Sequence, residues 1–194
     1  MVTKTRDKLI EVARQLFANK GIENTTMNDI ANASDKGRRT IYTYFRNKKE
    51  IYNAVIEKES EQLVSQLREI VELNIPSREK LRKFLEVRFE IIQGSVSHSG
   101  SLKRFFAIDI NRIKKIRKLA SEKEHEILKK IIEEGVKENQ FSSQQCENLD
   151  VVLKMILQSV DFSYLHDNFS EIGVNKDRFQ NDIINFIIEG LKVL

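Results

Sequence analysis

An all-α fold is predicted by three features of this 194-residue sequence. It holds one proline and seven glycines, so helix breakers are few, while Leu, Lys and Glu are plentiful helix formers. Apolar residues recur every three or four positions in stretch after stretch, which is helical periodicity. No stretch alternates apolar and polar residues as a strand would, and no 20–50-residue repeat is present. The apolar runs are too short to cross a bilayer. The first residues, MVTKTRDKLIEVARQLF, lack a signal peptide's apolar core. Cys146 is the single cysteine, which excludes an internal disulfide and points to a reducing compartment, the cytoplasm.

The first helix is expected over 3–20, where Leu9, Ile10, Val12, Ala13, Leu16 and Phe17 form a stripe. Gly21 ends it in the left-handed position that glycine favours. The second starts near Thr26, with Asp29 three residues on to complete a capping box. Ser34, Asp35, Lys36 and Gly37 read as a turn, and a third helix follows over 38–45. Asn47 caps a long fourth helix over 48–73, with Glu50 at the reciprocal position. Pro76 closes it, and Ser77 opens a fifth that reaches about 95. SVSHSGS is a loop. Four more helices are expected over 102–119, 122–139, 147–168 and 176–193, about nine in all.

Charge is uneven along the chain. Residues 1–52 carry eleven Lys or Arg against six acids, a net of +5, whereas the whole chain carries +4. The positive excess thus lies in the first quarter, the footprint of a polyanion partner. Within it, TTMNDIANASDKGRRTIYTYFRNKK places a polar turn between two short amphipathic segments and opens the second with Arg38-Arg39. That is the sequence form of a DNA-reading helix-turn-helix. In the second segment Ile41 and Phe45 are four apart and face a core, which turns Arg39, Thr40 and Thr43 outward. Arginines at such a position either chelate guanine O6 and N7 or contact phosphates only. Thr43 suits a thymine methyl or a phosphate. Thr26 suits a phosphate at a helix N-terminus, a simple cap, or both.

The residues Leu9-Ile10, Ala13, Leu16-Phe17, Gly21, Thr25-Thr26-Met27, Ile30-Ala31, Ala33, Thr40-Ile41-Tyr42, Tyr44-Phe45, Asn47-Lys48 and Val55 resemble the DNA-binding domain of the TetR family of transcriptional regulators. The resemblance spans 9–55; the rest of the chain matches that family in length and helix count. It departs at one point. Ala33 lies nine residues before Tyr42, where the family pattern has eight, so the turn is one residue longer, most simply at Asp35-Lys36. Arg39 also replaces a glycine common in the family. The resemblance implies phosphate contacts from Tyr42, Tyr44 and Lys48, with packing against the first helix as the other reading of Tyr44. It implies two domains, a helix-turn-helix over 1–50 and an effector-binding and dimerisation domain over 51–194.

The last two helices are the candidates for pairing with a second copy. The final one is apolar over more than one face and must bury two sides. Val152, Ile156, Val160, Ile183, Ile187 and Leu191 are the expected interface, which in the family is a two-fold four-helix bundle. An effector pocket is expected among Phe84, Phe89, Phe105, Phe106, Asp109 and Phe162, residue types that also serve as plain core. Asp109 and Asp161 interrupt apolar stretches, and each would orient a ligand or pair with Arg88 or Arg112. Neither the three histidines nor Cys146 show metal-ligand spacing, so no metal or cofactor is expected. The run 112–119 is basic, but EKEHE beside it supplies matching acids.

The leading reading is a ligand-responsive regulator, by family resemblance a repressor, that leaves a two-fold symmetric operator when a small molecule binds. A helical small-molecule binder without DNA function is the other reading, favoured only by the altered turn. No GxSxG, HExxH, P-loop or dinucleotide fingerprint marks an enzyme.

Overall fold

The computed structural model describes residues 2–96, 110–142, 148–165, 169 and 172–191. Among these it contains eight helices and no strand. They are α1 (Val2–Lys20), α2 (Met27–Ala33), α3 (Arg38–Tyr44), α4 (Lys48–Val71), α5 (Ser77–Val96), α6 (Ile110–Lys137), α7 (Leu149–Leu165) and α8 (Lys176–Gly190). The all-α expectation holds. The two helices expected to meet near 119–122 are one, α6, since Ala120-Ser121 contains neither glycine nor proline to break the ladder. No helix of the described residues is long and apolar enough to cross a membrane.

The chain forms two compact units, Met1–Glu61 with Ser97–Lys118, and Gln62–Val96 with Leu119–Leu194. The boundary expected at residue 50 falls inside the first turn of α4. In the first unit, Leu9, Ala13 and Phe17 of α1 meet Ile30 and Ala31 of α2, Ile41 of α3, and Ile51 and Val55 of α4 in one buried cluster. The Phe17 and Tyr52 rings meet at a tilt of 55°, with centroids 5.9 Å apart. Ile116 of α6 packs against the same cluster.

In the second unit the core is built from Leu67 of α4, Phe84, Leu85 and Phe89 of α5, Ile131 of α6, Leu153 and Leu157 of α7, and Ile184 and Ile188 of α8. Its helix ends are capped from a distance. Glu138 accepts the Ser77 backbone N–H at 3.2 Å and Gln140 accepts that of Arg78 at 2.9 Å, so the end of α6 supplies acceptors for two orphan donors of α5. Buried Lys80 donates to the Val71 carbonyl at the close of α4 (2.7 Å) and to Glu134 (3.1 Å). On the surface, Arg78 pairs with Glu189 and Arg82 donates to Asn185, linking α5 to α8.

α6 carries a glycine, Gly135, in its last turn. The N–H groups of Gln140 and Phe141 both donate to the Gly135 carbonyl, at 2.8 and 3.1 Å, with Asn139 left-handed at φ 56° between them and α6. This turn brings the buried Phe141 ring against Gly135, into the space a Cβ there would take.

Candidate nucleic-acid interface

The helix-turn-helix is held at each junction by a local device that its sequence specifies. α2 begins with the expected capping box: the Thr26 hydroxyl accepts from the Asp29 N–H (3.1 Å), and the Asp29 carboxylate accepts from the Thr26 N–H (2.8 Å). Those bonds from Thr26 hold the Asp29 carboxyl below its usual range. α2 ends in a Schellman motif, in which Lys36 N–H donates to the Ala31 carbonyl at 2.9 Å and Asp35 N–H to Asn32 at 3.1 Å. Asp35, one of the two residues to which the extra turn length was assigned, takes the left-handed position at φ 54°. An aspartate tolerates that region better than most side chains do. The longer turn is therefore a regular helix ending. Lys8 of α1 stands 3.7 Å from the Asp35 carboxylate, an exposed pair that adds little stability.

α3 turns two opposite faces as the spacing predicts. Ile41 and Phe45 are buried in the first unit's core, while Arg38, Arg39 and Thr43 are exposed and Thr40 is half-buried. The Arg38 guanidinium lies over the Tyr42 ring at 5.7 Å, and the ring is 42% exposed. Thr43 donates its hydroxyl to the Arg39 carbonyl at 3.0 Å. Tyr44 is half-buried against the core, the packing reading of that residue. Arg6, unremarked in the sequence, sets its guanidinium 5.4 Å over the Phe45 ring. Only an α1–α3 contact map would have found it.

Lys48 is placed differently from the expected phosphate contact. Its ammonium donates to the backbone carbonyls of Ile22 (2.5 Å), Thr25 (2.7 Å) and Glu23 (3.2 Å). Next to it, Asn47 caps α4 by accepting the Glu50 N–H, while Glu50 accepts from Arg46, one residue earlier than a strict reciprocal box.

The expected pairing and pocket residues separate clearly. Val160, Ile187 and Leu191 are buried in the second unit's own core, and Ile156 and Ile183 pack against it. Val160, Ile187 and Leu191 are therefore covered within one chain, while Ile156 and Ile183 keep part of their surface exposed. Helical periodicity finds apolar positions but not which side of a two-sided helix meets its own domain. Of the six, only Val152 is exposed; it shares the outward face of α7 with Val151, Met155 (66% exposed) and Phe162 (56%), and α8 adds Phe186 (74%). Phe162 thus lies on the surface, not in a pocket. Phe84 and Phe89 are fully buried core, and Phe105, Phe106 and Asp109 lie outside the described residues.

Asp161 finds its partner in Arg88. The guanidinium is bidentate to Asp161 (2.9 and 2.6 Å) and bonds Glu124 at 2.9 Å, joining α5, α6 and α7. Burial pushes the Glu124 carboxyl up, against the downward pull of Arg88. Burial alone would lower Arg88, but the two carboxylates more than reverse it. Among the described residues no three His, Cys, Asp or Glu are grouped to hold a metal ion.

Comparison with known proteins gives a consistent picture. A family model described as bacterial regulatory proteins, tetR family, matches residues 9–55. A probable acrEF/envCD operon repressor of Escherichia coli (strain K12) is 34% identical over 91 residues, covering 47% of this chain and 39% of that protein. The match thus spans well under half of that relative. A probable HTH-type transcriptional regulator, YttP, of Bacillus subtilis (strain 168) is 29% identical over 161 residues, 81% of this chain and 77% of that one. Among solved structures, a putative transcriptional regulator from Saccharomonospora viridis in complex with choline has a TM-score of 0.77 at 18% identity, covering 99% and 100% of the two chains. That likeness is one of fold.

Proposed function

We propose that the chain, whose residues 9–55 match the tetR family model, is a transcriptional regulator of that family that binds duplex DNA as a homodimer and releases it when a small molecule binds. The observation that carries this is the division of α3. With Ile41 and Phe45 locked in the core, Arg38, Arg39 and Thr43 have only the outward face to occupy. A short helix with arginines at its N-terminus, backed by a second helix, is the geometry that enters a major groove. Thr26, Thr40 and Tyr42 flank that face as phosphate contacts, and Tyr44 supports it from behind.

The exposed apolar side chains on α7, with Phe186 exposed on α8, support pairing with a second copy, since large apolar side chains in water mark an interaction site. A two-fold pair would offer two α3 helices to half-sites about one duplex turn apart. That the similarly folded S. viridis protein is in complex with choline supports a small-molecule effector for this chain. Action as a repressor is supported by relatives that are described as repressors.

Selection of sites from random duplexes with the purified protein tests the proposal. A two-fold symmetric site is the expected product, and enrichment of no sequence would overturn it. On that site, Arg39→Ala is expected to weaken binding by about 1–3 kcal/mol and to relax preference at the base it reads. The same loss on specific and random duplex would show that Arg39 touches phosphate alone.

A further inference from the structure

Lys48 joins the two ends of the helix-turn-helix. It is the first residue of α4, and its ammonium reaches back 26 residues to Ile22, 25 to Glu23 and 23 to Thr25. An ammonium has three N–H donors, so each of the three carbonyls can take one. The segment it grips leads directly into the recognition unit. Thr25 is fully buried, its hydroxyl donates to the Gly21 carbonyl at 2.8 Å, and Thr26 next to it caps α2. On the other flank, Asn47 caps α4 and Phe45 closes α3 in the core. Everything that presents the outward arginines lies between the two gripped ends.

We infer that Lys48 is a positioning residue for DNA reading: it clamps the segment 22–25 to the start of α4, fixing α2 and α3 as one unit, and it makes no phosphate contact. The inference rests on the DNA-binding reading above. Burial of the ammonium, which pushes it below the usual lysine range, fits a group turned into the protein. A phosphate ligand would have to draw the ammonium away from these carbonyls; that of Ile22 would keep the Thr25 N–H (3.4 Å), but the part-buried Thr25 carbonyl would lose this donor.

Lys48→Met keeps the aliphatic stem and removes the donors. With the clamp gone, the selected duplex is expected to bind about tenfold or more weakly, random duplex to stay within about twofold, and the slope of log affinity against log salt to stay unchanged. An equal loss on both duplexes with a slope lower by about one would make Lys48 a phosphate contact and overturn the inference. An equal loss at unchanged slope would reduce it to a stability residue, and no loss would remove its role; either overturns it. Amide exchange of Thr25 and Asp29 in the free protein is a second arm. It should quicken in Lys48→Met and stay near wild type in a control, Arg39→Ala. Unchanged exchange would sink the clamp. This arm needs no DNA, so it decides the clamp even if wild-type protein selects no duplex.

Discussion

Arg88→Met is expected to destabilise the fold by about 3 kcal/mol near neutral pH, measured by urea unfolding, because it removes a buried guanidinium and leaves two partly shielded carboxylates with no counter-charge. Glu124 and Asp161 approach the same guanidinium from α6 and α7, and the Arg88 side chain is only 6% exposed. The pH dependence has a defined sign. Burial already places the folded Glu124 carboxyl above its unfolded value, so folding takes up protons at this site. Stability from Glu124 therefore grows as pH falls through its folded value and is complete below the ordinary carboxylate range. Removing Arg88 removes a downward pull and raises Glu124 further. The deficit of the variant should be largest near neutrality and shrink on acidification. A deficit that widened on acidification would contradict the triad as drawn. Replacing all three residues together by apolar ones of similar volume should recover most of the loss, since breaking a buried ion group is worse than deleting it.

Gly135→Ala is expected to lower stability by about 1–3 kcal/mol or more, despite the higher helix propensity of alanine. A Cβ at this position would stand 2.1 Å from Cδ2 and 2.2 Å from Cε2 of Phe141, distances that no relaxed structure tolerates. The ring cannot simply swing away, because it is buried and its own backbone N–H is bonded to the Gly135 carbonyl. Thermal unfolding would read the loss. Phe141→Leu alone should also destabilise, but the double variant should fall well short of the sum, since the smaller side chain makes room for the new methyl. A neutral or stabilising Gly135→Ala would show that Phe141 is not seated there.

How much of this was legible in the sequence depends on the range of the interaction. The Thr26–Asp29 box, the Asn47 cap, the left-handed Gly21 and the two faces of α3 are set by residues within four positions of each other. Spacing reads them directly. The place of the Lys48 ammonium was not legible, because its partners are carbonyls 23–26 residues away, and backbone acceptors leave no mark in side-chain pattern. Asp161 was recognisable as a buried acid needing a partner, but the choice between Arg88 and Arg112 needed the packing of α5 on α7. Spacing likewise does not show that Val160, Ile187 and Leu191 are buried within one chain. Their apolar character is equal to that of Met155 and Phe186, and only the fold decides which side is covered. The join within α6 was missed although its residues offered no breaker.

The long-distance capping and pairing of α5 also set a schedule for the nascent chain. Arg88 is synthesised 73 residues before Asp161, and Arg78 is synthesised 111 residues before Glu189. At about 5–20 residues per second, α5 waits roughly 4–15 s for the first partner and roughly 6–22 s for the second. Through that interval Phe84, Leu85 and Phe89 have no α7 or α8 to cover them, so the second unit cannot close until the last helix has left the ribosome. The helix-turn-helix runs on a shorter clock. Its own ends meet across 26 residues, as soon as Lys48 emerges.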